Sequence, residues 1–414
     1  MKKHRKDKKH SLQEIASRVL FHFGLNEHRT CTCGKFHHSV KNQDRRVTVK
    51  KSFETGKSYF AGLQTCGSVW SCPVCCTKIT EGRRSEISKA VENHNGSILM
   101  VTFTVPHKKS DSLVDSYNFL MSARRILKDQ RPLKNNNPKR FLDKSYKELK
   151  IEFGIIGDIA SIETPWNNIN GWHPHCHSLI FFNRFLETSE IAKFEYNMKN
   201  AWSDSLLCRL KFNYSDYDSL FRRGVQVDEI RNLSDYIAKF EKSKKSESEI
   251  NNLVDCYKNR WGVESELTKG HCKSGRQESL TPFDFLRIIK KSKSSSDFNF
   301  FGKLFVEFSE IMKGKRQIFW SKGLKKIFGI KSKTDEELAE GEQQKDEIIG
   351  VLSKEEFIFI RQNYLKDWFL HITEKLEFWR CIQILTRIRE NVKKKKDYRS
   401  RKARNRVKTA TEGI

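Results

Sequence analysis

Gly171-Trp-His-Pro-His-Cys-His-Ser-Leu-Ile-Phe-Phe182 carries histidine at three alternate positions and ends in four apolar residues. Successive side chains of an extended strand point to opposite faces, so His173, His175 and His177 are expected on one side. Leu179–Phe182 is apolar on both faces, which asks for a strand covered above and below. Imidazoles held in a row on such a strand form a nitrogen platform for a divalent metal, and a carboxylate completes the set. Glu163 is the candidate. It ends a second strand candidate, 153–163, and the connector Thr164-Pro-Trp-Asn-Asn-Ile-Asn-Gly171 has the turn residues a hairpin needs. Hydrogen-bonded surface histidines are the competing reading, and three at this spacing beside a buried run weigh against it.

Upstream, the β-branched and aromatic run Ile98–Val105, closed by Pro106, reads as a buried strand. Residues 110–128 have helical spacing, with Leu113, Tyr117, Leu120 and Ile126 among polar neighbours. Downstream, helices are expected at about 187–208 and 232–245, with a short strand near 224–228. In the second of these helices Ser234 is a plausible N-cap, and Tyr236, Lys239 and Phe240 then share a face at i, i+3 and i+4. A phenol and an ammonium so placed can act together on a phosphodiester, the phenol attacking phosphorus while the ammonium offsets developing charge. Free phenol has a pKa of about 10, so it needs activation, which a divalent cation on the phosphate eases. Half-buried packing with a snorkelling lysine is the ordinary alternative.

The chain has 414 residues, 79 Lys plus Arg and 51 Asp plus Glu, so the formal balance is 79 − 51 = +28. At about 150 residues per domain this suggests two or three domains. The excess points to a polyanionic partner, nucleic acid ahead of anionic lipid. No apolar run approaches the roughly 18 residues of a membrane helix. The basic start MKKHRKDKKH is not followed by an apolar stretch and a cleavage site, so no secretory signal is read and a cytoplasmic protein is expected. The 11 cysteines are odd in number and closely spaced only between Cys31 and Cys76, which favours metal over disulfides. Cys72-Pro-Val-Cys75 is a knuckle. Cys66 and one of Cys33 or Cys31 would complete a four-thiolate structural zinc site, Cys33 being preferred, and His37 or His38 could substitute. Thr334–Glu342 is an acidic interlude. Leu365, Trp368, Phe369, Ile372, Leu376 and Trp379 read as one face of a single amphipathic helix, and 393–408 is a strongly basic stretch suited to phosphates.

The strand Val101-Thr-Phe-Thr-Val105, then His173-Pro-His-Cys-His177, then Tyr236-Ile-Ala-Lys239 resembles the three motifs of HUH endonucleases, specifically the rolling-circle plasmid replication initiator (Rep) proteins. Cys66–Cys75 with Lys78, Arg83 and Arg84, and Trp320-Ser-Lys-Gly-Leu-Lys325 with Asp335-Glu-Glu-Leu338, are similar to further segments of that family, so the resemblance covers roughly 30–340. It implies an α+β protein with a ferredoxin-like core, an antiparallel sheet with helices, in which His175 and His177 bind Mg²⁺ or Mn²⁺ with Glu163. His173 is a further candidate ligand. Tyr236, assisted by Lys239, would cut one strand of single-stranded or hairpin plasmid origin DNA. It would stay joined to the 5′ phosphate and free a 3′-OH primer, with host helicase and DNA polymerase as partners. The implied order is a basic arm (1–29), a Cys-rich zinc-binding module (30–92), the nuclease core (93–248), a family-like middle region (249–340), a helical region (341–392) and a basic tail (393–414). Where many relatives place a second tyrosine, this chain has Phe240, so the step that ends the cycle has no evident agent. A transposase or relaxase of the same chemistry, and a non-catalytic zinc-containing DNA-binding regulator, are the alternatives.

Overall fold

The computed structural model describes residues 9–35, 46–53, 56–129, 146–207, 217–230, 267–268, 279–292, 294–340 and 346–411. Tyr236 and Lys239, the helix expected at 232–245, and His37 and His38 lie outside the described residues. The described elements run in the order α1 (Lys9–His22), α2 (Arg29–Thr32), β1 (Val47–Lys51), β2 (Ser58–Ala61), α3 (Pro73–Glu92) and β3 (Ile98–Thr104). Next come α4 (Leu113–Asp129), α5 (Tyr146–Phe153), β4 (Ile155–Glu163), β5 (Trp166–Asn167), β6 (Gly171–Trp172) and β7 (His175–Phe182). These are followed by α6 (Thr188–Leu207), α7 (Tyr217–Arg223), β8 (Val225–Glu229), α8 (Pro282–Lys291), α9 (Ser295–Ile311), β9 (Ile318–Trp320) and α10 (Leu324–Ile327). The last are α11 (Asp335–Glu340), β10 (Glu347–Leu352), α12 (Lys354–Gln362), α13 (Lys366–Thr373) and α14 (Phe378–Thr411). Helices and antiparallel strands make the protein α+β. None of the described helices is long and apolar enough to cross a membrane.

The chain forms two compact units, one from 1–18, 27–66 and 340–414, the other from 19–26 and 67–339. In the first, distant segments of the chain meet in one sheet of order β10-β1-β2, with Val47 opposite Leu352. Val47, Val49, Leu352, Phe357, Ile360, Phe369 and Leu385 form its core. The start of α1 buries Leu12, Ile15 and Ala16, so the segment read as a basic arm is helical and packed from Lys9 onward. The aromatic face expected to be one helix is two. α13 ends at Thr373, and the carbonyl of Glu377 accepts from Arg380 N and Cys381 N to start α14. The break lets Phe369 and Phe378 meet edge to face, and it leaves Leu376 and Trp379, which a continuous stripe would bury, 39% and 53% exposed.

The second unit is built on a five-stranded antiparallel sheet of order β8-β3-β7-β4-β9. β7 is the middle strand, and every residue from Cys176 to Phe182 is buried, as its two-sided apolar run requires. Alternation divides the sheet. On one face Ile98, Met100, Ile159, Leu179 and Phe181 pack with Ile87 and Ala90 of α3, and the histidines lie further along the same face. On the other, Phe103 packs on Trp202 of α6, and Leu113, Tyr117, Leu120 and Leu127 of α4 are buried.

That second face also holds Asp158, 2% exposed. It is ion-paired with Lys128 and Arg124, accepts from Ser178 Oγ at 2.8 Å, and accepts from Ser321 Oγ. Burial alone would raise this carboxyl, but the Lys128 and Arg124 charges and the Lys128 and Ser321 hydrogen bonds hold it below the usual carboxylate range. A depressed folded-state pKa contributes stability that is fully present above the unfolded value of about 3.9 and is lost as pH falls through the folded value. Replacing Asp158 by Asn leaves two cations facing a neutral amide, and is expected to cost about 3 kcal/mol in denaturant unfolding at neutral pH. The loss relative to wild type should shrink in acid below pH ~4. A change under about 1 kcal/mol at neutral pH would contradict this role.

Candidate functional site

β7 lies between β3 and β4 in fixed register, so the site is assembled from three strands. His175 is opposite Thr104 on β3 and Glu163 on β4, and His177 is opposite Thr102 and Ser161. Glu163 Oε2 lies 3.3 Å from His175 Nε2 and 3.7 Å from His177 Nε2. One ligand atom from each of the three residues falls within 4.8 Å of the others. The two rings stand nearly perpendicular, at 89°, with centroids 4.8 Å apart.

The second nitrogen of each ring is already engaged. His175 Nδ1 lies 3.2 Å from the carbonyl oxygen of His173, which can only accept, so Nδ1 carries a proton and Nε2 is the nitrogen left to face a ligand. His177 Nδ1 lies 2.9 Å from Thr102 Oγ1, and with Nδ1–H donating to the hydroxyl its Nε2 is likewise the nitrogen left to face one. Two imidazole Nε2 atoms and a carboxylate oxygen thus converge on one place, with side-chain exposures of 10–13%. Two imidazole nitrogens and a carboxylate oxygen within 4.8 Å of one another are a donor set that fits a divalent metal.

His173 is placed differently from the strand reading. β7 begins at His175 because Pro174 has no N–H to give the ladder. The His173 N–H instead donates to Pro165 O at 2.8 Å, beside the small β5–β6 pair. Its ring turns to His107, with the two Nδ1 atoms 3.1 Å apart and the ring centroids at 4.4 Å. Burial, with His175 and His107 adding to it, pushes His173 down to about 3, so it is a neutral imidazole. His107 was not picked out from the sequence. The signal available was its place just past β3, which pairs with β7 and so returns the chain to His173. Thr102 was also missed, although it sits in the strand motif that the sequence does mark.

Cys33, Cys66, Cys72 and Cys75 are all buried. Cys72 occupies the N-cap of α3, with Pro73 at its first position, and Cys76 N donates to Cys72 O at 2.8 Å, which turns the knuckle. The Cys31 sulfur lies 3.6 Å from Ser17 O, and burial pushes its thiol up.

No family model matches the chain. A curated relative from Streptomyces lividans, "Protein rep", is 24% identical over 319 residues, 66% of this chain and 66% of that protein. A "Neomycin resistance protein" from Streptomyces cyanogenus is 29% identical over 139 residues, 30% of this chain and 32% of that protein. The chain therefore spans just under two thirds of the first relative and a third of the second. The N-terminal nuclease domain of minute virus of mice non-structural protein-1 aligns with 40% of this chain and 75% of its own, at 13% identity and a TM-score of 0.20, a likeness too slight to bear on the fold. The chain is thus similar, over just under two thirds of its length, to a Streptomyces Rep protein, and its own strands bring Glu163, His175 and His177 together.

Proposed function

We propose that this protein initiates rolling-circle plasmid replication by nicking and rejoining one strand of origin DNA, using a ferredoxin-like HUH core. The observation that carries the reading is the convergence of Glu163 Oε2 with His175 Nε2 and His177 Nε2 in a chain related to a Rep protein. These three atoms would hold Mg²⁺ or Mn²⁺. The mixed nitrogen and oxygen set suits Mn²⁺ the better of the two. When bound, the cation supplies charge stabilisation to the phosphate under attack. Tyr236 is the nucleophile. Its hydroxyl gives up its proton to solvent as the oxygen forms the bond to phosphorus and the bond from phosphorus to the 3′ oxygen breaks, the 3′ oxygen takes up a proton from solvent, and the 5′ phosphate remains on the tyrosine. Lys239 offsets charge on the same phosphate. Phosphotyrosine conserves the energy of the phosphodiester, so the strand can be rejoined, and the free 3′-OH serves a host polymerase behind a host helicase. The four cysteines Cys33, Cys66, Cys72 and Cys75 would bind a structural zinc.

Thr102 and the His173 carbonyl act through the imidazoles. By fixing Nδ1 they keep both Nε2 lone pairs aimed at the cation, which makes Thr102 a positioning residue. Thr102→Val keeps the shape of the side chain and removes the hydroxyl, and should weaken Mn²⁺ binding measured by calorimetry about 10–100-fold. Thr102→Ser should bind nearly as wild type, and equal affinity in all three proteins would remove Thr102 from the site. The nucleophile is tested with single-stranded origin DNA and Mn²⁺. Wild type should give a denaturation-resistant protein–DNA band that Tyr236→Phe lacks while still binding the DNA. An adduct at wild-type level in Tyr236→Phe would refute the assignment.

A further inference from the structure

The segment after β9 was marked in the sequence but has no part in the chemistry above. It surrounds a cavity of about 570 Å³ lined by Trp320, Gly323, Lys325, Lys326, Gly329 and Lys331, among others. Gly323 and Gly329 have φ of +86° and +63°, and a Cβ at either would meet nothing within 4 Å, so the backbone there borders open space. Lys325 is committed elsewhere. Its ammonium pairs with Glu86 Oε2 at 2.9 Å and sits 5.2 Å over the Trp320 ring, so it forms part of the wall. Lys326 and Lys331 are exposed and make no ion pair among the described residues. From Ser321 to Thr334 the sequence has five lysines and no acid.

The location fits a role for this cavity. Trp320 pairs with Ile159 on β4, four residues before Glu163 on the same face of that strand. Four residues of strand span about 13 Å. The cavity starts at that distance from Glu163, His175 and His177, so a strand with one phosphate at those residues would meet it only with phosphates further along its backbone. We propose that this cavity is a backbone subsite, in which Lys326 and Lys331 each engage a phosphate of the single strand that flanks the cut site. This deepens the function proposed above and rests on it. Both lysines are solvated, so each contact acts chiefly by releasing counterions and not by a fixed Coulomb gain.

The signature is thus in the salt dependence. With the full-length protein and a fluorescent single-stranded oligonucleotide, the slope of log K against log salt should flatten by about 1.4 in the double variant K326A/K331A, at about 0.7 per lost contact. K326R/K331R should keep the wild-type slope. K290A/K291A removes the same charge from two exposed lysines at the end of α8 and should leave the slope unchanged. An unaltered slope in K326A/K331A, or an equal flattening in K290A/K291A, would overturn the subsite. The covalent adduct is read separately: its loss tests the nucleophile, whereas the slope tests only where the strand lies.

Discussion

Two antiparallel ladders clamp β7 between β3 and β4, and everything at the candidate site depends on their register. A slip of one residue in either ladder would turn His175 and His177 into the packed face and bring Cys176 out in their place. The register is resisted from both sides of the sheet. On the histidine face, Leu179 and Phe181 are buried with α3, and on the other, Ile180, Phe182 and Cys176 are 0–2% exposed. Each of these would become solvent-facing or misplaced after a slip, at about 1.5–3 kcal/mol for each large apolar side chain. Burial of an apolar run thus fixes the position of two polar rings several residues away.

The same strands separate two electrostatic tasks. Asp158 on β4 faces the helical layer and is matched by Lys128 and Arg124, so its charge is used internally. Glu163, five residues on and on the opposite face, is set against the Nε2 atoms of His175 and His177. An alternation of period two therefore lets one strand carry both a structural carboxylate and a candidate ligand. The positive excess of the chain, +28 overall, suits long-range attraction of a polyanion such as DNA.

Much of this was legible because strand periodicity is a local signal. The strands around 98–105, 153–163 and 173–182 emerged within two residues of their bounds, and the turn-rich connector between the last two contains the β5–β6 pair. What local periodicity could not reveal was where it stops. Pro174 interrupts the ladder, so His173 leaves the row and pairs with His107, a residue that only the tertiary return of β3 brings near. The break between α13 and α14 was hidden for a related reason: a spacing of +11 and +14 fits a continuous helix, and only packing on the β1–β10 sheet shows that Leu376 and Trp379 stay outside. The pairing of β1 with β10 joins residues some three hundred apart and has no trace in local sequence.

The central claim is that His175 and His177 jointly hold a metal ion through their Nε2 atoms. Pulsed electron paramagnetic resonance of the Mn²⁺-loaded protein tests it most directly, because couplings to directly bound imidazole nitrogens report ligand identity without reference to activity. Two histidine nitrogens coupled to the manganese, reduced to one in His175→Ala, is the result expected. A Mn²⁺ spectrum with no nitrogen coupling, or one unchanged by that substitution, would contradict the account.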